Sequence, residues 1–168
     1  MASGSKARNQ ELGAKYSTLG DARVPWRLQL RIEMADTFQL EIVTPEKMVV
    51  RDSAEEAQIP GKNGYLGVLP GHAPLITELS SGELSYRTGG QTHRFAVAWG
   101  FAEVLPDKVT ILAETAERAE EIDVQRAQRE KESAEQHLAS GATEDDFTKA
   151  EAELKRAETR LEVAQNKR

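Results

Sequence analysis

Between Phe38 and Ala113, apolar and polar residues alternate with the period of strands that bury one face. In FQLEIV, Phe38, Leu40 and Ile42 share a side; in KVTIL, Val109 and Ile111 do. The run ELSYRTGGQTHRFAV reads as a hairpin whose two strands meet at Gly89-Gly90, where both residues can take positive φ. PGKNG, LPGH, SSGE and LPDK supply further turns. Short strands at this spacing, with no helical run between them, predict a small sandwich or barrel.

The period changes after Glu114. Alanine, glutamate, arginine and lysine dominate from there. Phe147, Ala150, Leu154, Ala157, Leu161 and Ala164 recur three and four residues apart, which is one apolar stripe along a helix. Val124, Ala127, Ala134 and Leu138 keep the same rhythm, with Lys131 interrupting it. SGATEDD separates the two runs: Gly141 is an expected stop, Thr143 an expected N-cap, and Asp146 falls in the first turn. The expected architecture is an all-β domain over residues 34–115 followed by an antiparallel two-helix hairpin over residues 116–168, α+β overall. Each helix should span about 18 to 20 residues, or roughly 30 Å. Half of the seam is alanine, which buries little area, while backbone ordering costs about 1–2 kcal/mol per residue. The hairpin is therefore expected to lean on the β domain, a ligand or a partner; a small solvated coiled coil is the plain alternative.

Residues 1–33 differ from both parts. They carry many small and polar residues and no sustained apolar period until WRLQLRI, Trp26 to Ile32, which alternates as a strand would. The expectation is a disordered leader with the folded protein beginning near Met34. The leader lacks the apolar core of a secretory signal, and its basic, hydroxyl-bearing character only weakly resembles a transit peptide.

Charge narrows the function classes. The 168 residues carry a net charge of −6, divided as +3 over residues 1–33, −5 over 34–118 and −4 over 119–168. Acidic domains argue against nucleic acid, whose phosphates select a basic face. Cysteine is absent, so no disulfide framework or thiol nucleophile exists. No apolar run approaches the roughly 18 residues of a membrane span, so membrane association is expected only through partners.

Catalytic patterns are missing. Gly61, Gly64 and Gly67 in GKNGYLG approach a phosphate loop but lack its lysine-hydroxyl ending and the helix after it. No G-x-S-x-G elbow occurs, and His72, His93 and His137 have no metal-ligand spacing. The composition favours an interaction module over an enzyme, with no catalytic residue and no metal site.

One stretch is distinctive. GYLGVLPGHAPLI, Gly64 to Ile76, sets glycines, prolines and a histidine among large apolar residues. With WGFAEVLPDKVTILAETAERAEEIDVQRA downstream, it resembles the epsilon subunits of bacterial F-type rotary ATP synthases. The resemblance runs in order from Met34 to Arg168 and includes nothing before Met34.

That resemblance implies a flattened β-sandwich at the foot of a central stalk, packed on a gamma subunit and seated on a c-ring. It implies a non-catalytic rotor role that couples the proton-driven ring to gamma and restrains ATP hydrolysis. The location implied is the cytoplasmic face of a bacterial plasma membrane. Tyr65, Leu69, Pro70 and His72 would face the c-ring and gamma, on a loop whose prolines and glycines lower the ordering cost of binding. Many relatives carry an acid where Tyr65 stands; the plain alternative is a turn that only fills the sandwich. The hairpin would fold beside the sandwich or extend along gamma toward the alpha and beta subunits, hinging at Glu114–Glu121. Lys149, Lys155, Arg156, Lys167 and Arg168 would then meet acidic surfaces there.

IDVQRA, Ile122 to Ala127, resembles a motif that holds a regulatory ATP in some members. Glu117, Asp123, Arg126, Arg156 and Arg160 fall on the corresponding positions, and Ser133 stands where strong binders have a basic residue. Independently, Arg156 and Arg160 lie four apart on one helical face, and Arg160 has no acid three or four residues away on its own helix. Arginines so placed invite an anion. The plain alternative for Asp123 and Arg126 is an ordinary pair on a helix surface. Other function classes remain open at this point: a free-standing ATP-sensing module, or a coiled-coil adaptor.

Overall fold

The computed structural model describes residues 36–140 and 143–166. The leader, the strand-like segment Trp26–Ile32 and the expected helix stop at Gly141 lie outside them. Among the described residues eight strands come first: β1 Phe38–Val43, β2 Met48–Ala54, β3 Glu56–Gly61, β4 Gly64–Val68, β5 Leu75–Leu79, β6 Gly82–Thr88, β7 Gln91–Val104 and β8 Lys108–Arg118. Two helices follow, α1 Val124–Ala139 and α2 Glu144–Gln165. The sandwich and the helical hairpin expected from the periods are both present. The last strand runs on past residue 115 to Arg118, however. The stretch between strand and helix is therefore Ala119–Asp123, not the whole of Glu114–Glu121.

The strands join in the order β2-β1-β8-β7-β5-β3-β4, with β6 pairing both β3 and β7. All of the pairs are antiparallel except β1 with β8, where Leu40 faces Val109 and Ile42 faces Ile111. The alternation read from the sequence is the core: Phe38, Leu40, Ile42, Val109 and Ile111 are buried together with Ile59, Leu84, Phe95, Val97 and Val104. The β6–β7 turn is the expected one, with Gly89 and Gly90 at φ 56° and 77° between the paired Thr88 and Gln91.

The long strand β7 creases midway. Trp99 and Gly100 are consecutive positive-φ residues, at 38° and 125°. The β7–β8 ladder omits the Trp99–Glu114 pair, yet the register is unchanged on either side. Across the crease the inward residues change parity, from Phe95 and Val97 to Ala102 and Val104. A side chain at Gly100 would lie 1.9 Å from the Leu112 carbonyl oxygen, so the close approach of β8 demands glycine there. Across the crease β7 passes from β6 to β5 as partner, which wraps the sheet into a sandwich.

The crease also frees the other face of β7. Ala96 packs outward with Ala119, Ile122 and Val163, a small second core that seats α2 on the sandwich. Val163 was not in the expected stripe, whereas Phe147, which was, is half exposed. The helix has two apolar faces rather than one. Ala150 and Ala157 are buried toward α1, where Ala127 and Ala134 are also buried, and Val163 is buried toward the sheet. Lys131, which breaks the apolar rhythm of α1, bridges to Glu158 of α2 at 3.5 Å. Thr143 caps α2 as expected, accepting from the Asp146 amide and donating to its carboxylate at 2.6 Å. That bond holds the Asp146 carboxyl below its ordinary pKa.

Candidate functional site

Two sets of residues are candidates, on different parts of the molecule. The first is a cleft of 370 Å³ between the helices and the end of β8, lined by Thr115, Arg126, Glu130, Ser133, Arg156 and Arg160 among others. Each helix end that matters here has a local cause. Asp123 has extended backbone and caps α1, accepting from the Arg126 amide at 3.0 Å. The cap directs the first turn, and Arg126 projects from it into the cleft. Arg156 and Arg160 come from one face of α2, as their spacing requires.

The cleft thus gathers Arg126, Arg156 and Arg160, three of the five residues expected to bind a nucleotide. Glu117 touches the cleft through Arg160: its Oε1 accepts from Nε at 2.8 Å and lies 2.6 Å from Nη2. Asp123 acts through its cap. The arginines are not without acids, as their own helix suggested. Arg160 is also held by Glu130 of α1 at 2.9 Å, and Glu130 takes Arg126 at 2.8 Å. The Glu130 bond, then its charge, raises the Arg126 pKa. Arg156 lies 3.4 Å from Glu114 and places its guanidinium over Trp99, 5.1 Å from the ring centre. The crease that gives Trp99 its left-handed backbone is what brings the indole under α2.

Chemically, the cleft presents three guanidiniums, each already paired with a carboxylate. Among the described residues no cluster of three His, Cys, Asp or Glu is placed to hold a metal. No described helix is long and apolar enough to cross a membrane.

The second candidate is β4 with the loop that follows it, residues 69–74; Tyr65 lies in the strand rather than in the loop expected of it, paired with Pro60 of β3. Tyr65 and Leu69 are more than half exposed, and Pro70 and His72 are partly exposed. The Gly71 amide donates to the Pro106 carbonyl at 2.7 Å, which pins the loop to the β7–β8 turn. His72 Nδ1 lies 2.8 Å from the Ala73 carbonyl. A carbonyl only accepts, so Nδ1 is the donor in this contact. The loop is a braced surface with both apolar and polar points.

Sequence reasoning missed a larger exposed feature. Met48, Leu112, Phe101 and Ile76 are large apolar residues open to solvent on β2, β8, β7 and β5. Met48 pairs with Val43, Val43 with Leu112, and Leu112 with Phe101, while Ile76 sits opposite Glu103, two residues further along β7. They form an apolar row across the outer face of the sandwich. The signal was available: in VTIL and WGFAEV apolar residues occupy both parities, which a strand with one solvated face does not need.

Comparison with known proteins agrees across both parts. Residues 37–119 match the family model described as ATP synthase, Delta/Epsilon chain, beta-sandwich domain, and residues 120–165 match its long alpha-helix domain. The ATP synthase epsilon chain of Koribacter versatilis is 71% identical over 111 residues, covering 66% of this chain and 78% of that one. That of Solibacter usitatus is 48% identical over 134 residues, covering 80% of this chain and all of the other. In fold, the chain superposes with a TM-score of 0.69 on a chain of the Euglena gracilis mitochondrial ATP synthase, at 24% identity, covering 79% of this chain and 83% of that one. The chain belongs to the ATP synthase delta/epsilon family, with the β-sandwich and the long-helix segment in the order that family prescribes.

Proposed function

We propose that this chain is a non-catalytic rotor subunit of a proton-translocating F-type ATP synthase, joining the c-ring to gamma and restraining ATP hydrolysis through its hairpin. The observation that carries the reading is the apolar row of Met48, Val43, Leu112, Phe101 and Ile76 on a sandwich with a dense core. A shaft coupling needs a stiff body with an apolar face for its partner, and this face takes gamma. Tyr65 of β4 and the braced loop after it take the c-ring, through a phenol and apolar contacts rather than an acid. The membrane is reached only through these partners, at the cytoplasmic face.

The hairpin suits a regulatory role because its seat is small. Four buried side chains and a few ion pairs hold it, and the alanine seam adds little. Released, its basic residues are positioned to meet the alpha and beta subunits. The cleft binds a regulatory ATP weakly, since its arginines already have acid partners, and ATP favours the docked hairpin by its higher affinity for that state.

Mild affinity purification with a tag on this chain should retain gamma in stoichiometric amount, and Leu112→Asp should lose it. Truncation after Glu121 should keep gamma and raise ATP hydrolysis in inside-out membranes. Failure to retain gamma would instead favour the free-standing sensor or adaptor; unchanged hydrolysis would remove only the restraining role.

A further inference from the structure

We infer that Glu130 is a built-in competitor for the cleft arginines and sets how weakly a polyphosphate binds there. The inference rests on the nucleotide reading just proposed. Glu130 presents one carboxylate to two guanidiniums from different helices: Oε1 to Arg126 Nε at 2.8 Å and Oε2 to Arg160 Nη1 at 2.9 Å. Two oxygens of one anion shared between two arginines is also how a phosphate would sit. The remaining edge of Arg160 is filled by Glu117, whose Oε1 faces both Nε and Nη2. The Arg160 side chain is only 15% exposed, so this fork has little room for a second anion while Glu130 stays in place.

A polyphosphate entering the cleft must therefore displace Glu130. The displaced carboxylate stays on α1, one turn beyond Arg126, and repels the ligand at short range. Glu153 also lines the cleft, but it forms no ion pair with Arg126, Arg156 or Arg160. It adds negative charge without holding the fork. Ser133, the position open to solvent beside them, contributes no compensating cation. The cleft is thus self-occupied, and Glu130 is the carboxylate that ties Arg126 and Arg160 together across the two helices.

Glu130→Gln keeps the shape and one acceptor while removing the charge. Isothermal titration of the full chain with ATP, and separately with inorganic triphosphate, should give a Kd lowered about tenfold in the variant for both probes. Glu153→Gln, which releases no arginine, should change it much less. Unchanged or weaker binding by Glu130→Gln, with the parent chain binding measurably, overturns the inference and leaves the nucleotide reading intact. Absence of binding by parent and variant alike at millimolar ATP overturns both.

Loss of an interhelix tie could loosen the hairpin, so a measurement on the unaltered chain completes the test. With carboxyl-labelled glutamate, ATP should move the Glu130 carboxyl resonance together with the Arg160 side-chain signals. Arg160 signals that shift while Glu130 stays fixed would show that the carboxylate does not compete.

Discussion

The sandwich and the hairpin are held by different physics. In the sandwich Leu40, Ile42, Ile59, Leu84, Phe95 and Ile111 have no exposed surface, and branched and aromatic side chains interdigitate. In the hairpin the buried seam residues are Ala127, Ala134, Ala150 and Ala157. What seats it on the sandwich is largely polar: Arg160 with Glu117, Arg156 with Glu114 and Trp99, and the α2 C-cap Asn166 with Glu83 at 3.0 Å. Ion pairs at a partly exposed surface are worth little each and are screened by salt. One region is built to stay as it is, the other to leave at small cost.

The sharpest break of this contrast is Phe95→Ala. Phe95 is fully buried, stacked beside Tyr86 at 6.0 Å and capped by the Arg118 guanidinium at 4.9 Å. Its truncation should cost about 3–5 kcal/mol in chemical denaturation, and the hairpin should unfold with the sandwich beneath it. A small loss would mean that the core is looser than its burial implies.

Alkaline pH probes the same layer. Burial, and then the Asp52 charge, push the Tyr86 hydroxyl up from 10.0 to about 12. Because the folded value lies above the unfolded one, this stabilisation is complete below pH 10 and lost as pH rises from 10 to 12. The loss should approach about 2 kcal/mol in denaturation midpoints, and Tyr86→Phe should abolish that part of the dependence.

Val163→Ala tests the seat alone. It should cost about 1–2 kcal/mol of docking while the sandwich midpoint stays put. Amide exchange at Ala157 and Ile122 should quicken and that at Ile111 should not. Uniform quickening would erase the distinction between the two regions.

The smallest effect is expected at the crease. Trp99→Gly relieves left-handed backbone at a bulky residue, and should leave the sandwich unchanged or more stable by at most about 1 kcal/mol. The same change removes the ring under Arg156, so the hairpin should become more mobile in relaxation measurements. A sandwich that weakens instead would show that the indole packs more than it strains.

Local chemistry carried much of this into the sequence. FQLEIV, the Gly89-Gly90 hairpin, the two helices and the Thr143 cap depend on neighbours within a few residues, so period and turn type were enough. The stretch from Gly64 to Ile76 and IDVQRA were legible as a family pattern, together with the positions of Arg126, Arg156 and Arg160. Other features depend on residues far apart in the chain, and only the tertiary structure decided them. The parallel pairing of β1 with β8 joins segments separated by most of the sandwich. The crease at Trp99–Gly100 follows from how closely the Leu112 carbonyl approaches. The acid partners of Arg160 stand 43 and 30 residues away, where no spacing rule along its own helix reaches them. A helical period reports which side chains share a face; which charges that face meets depends on the packing of a different element against it.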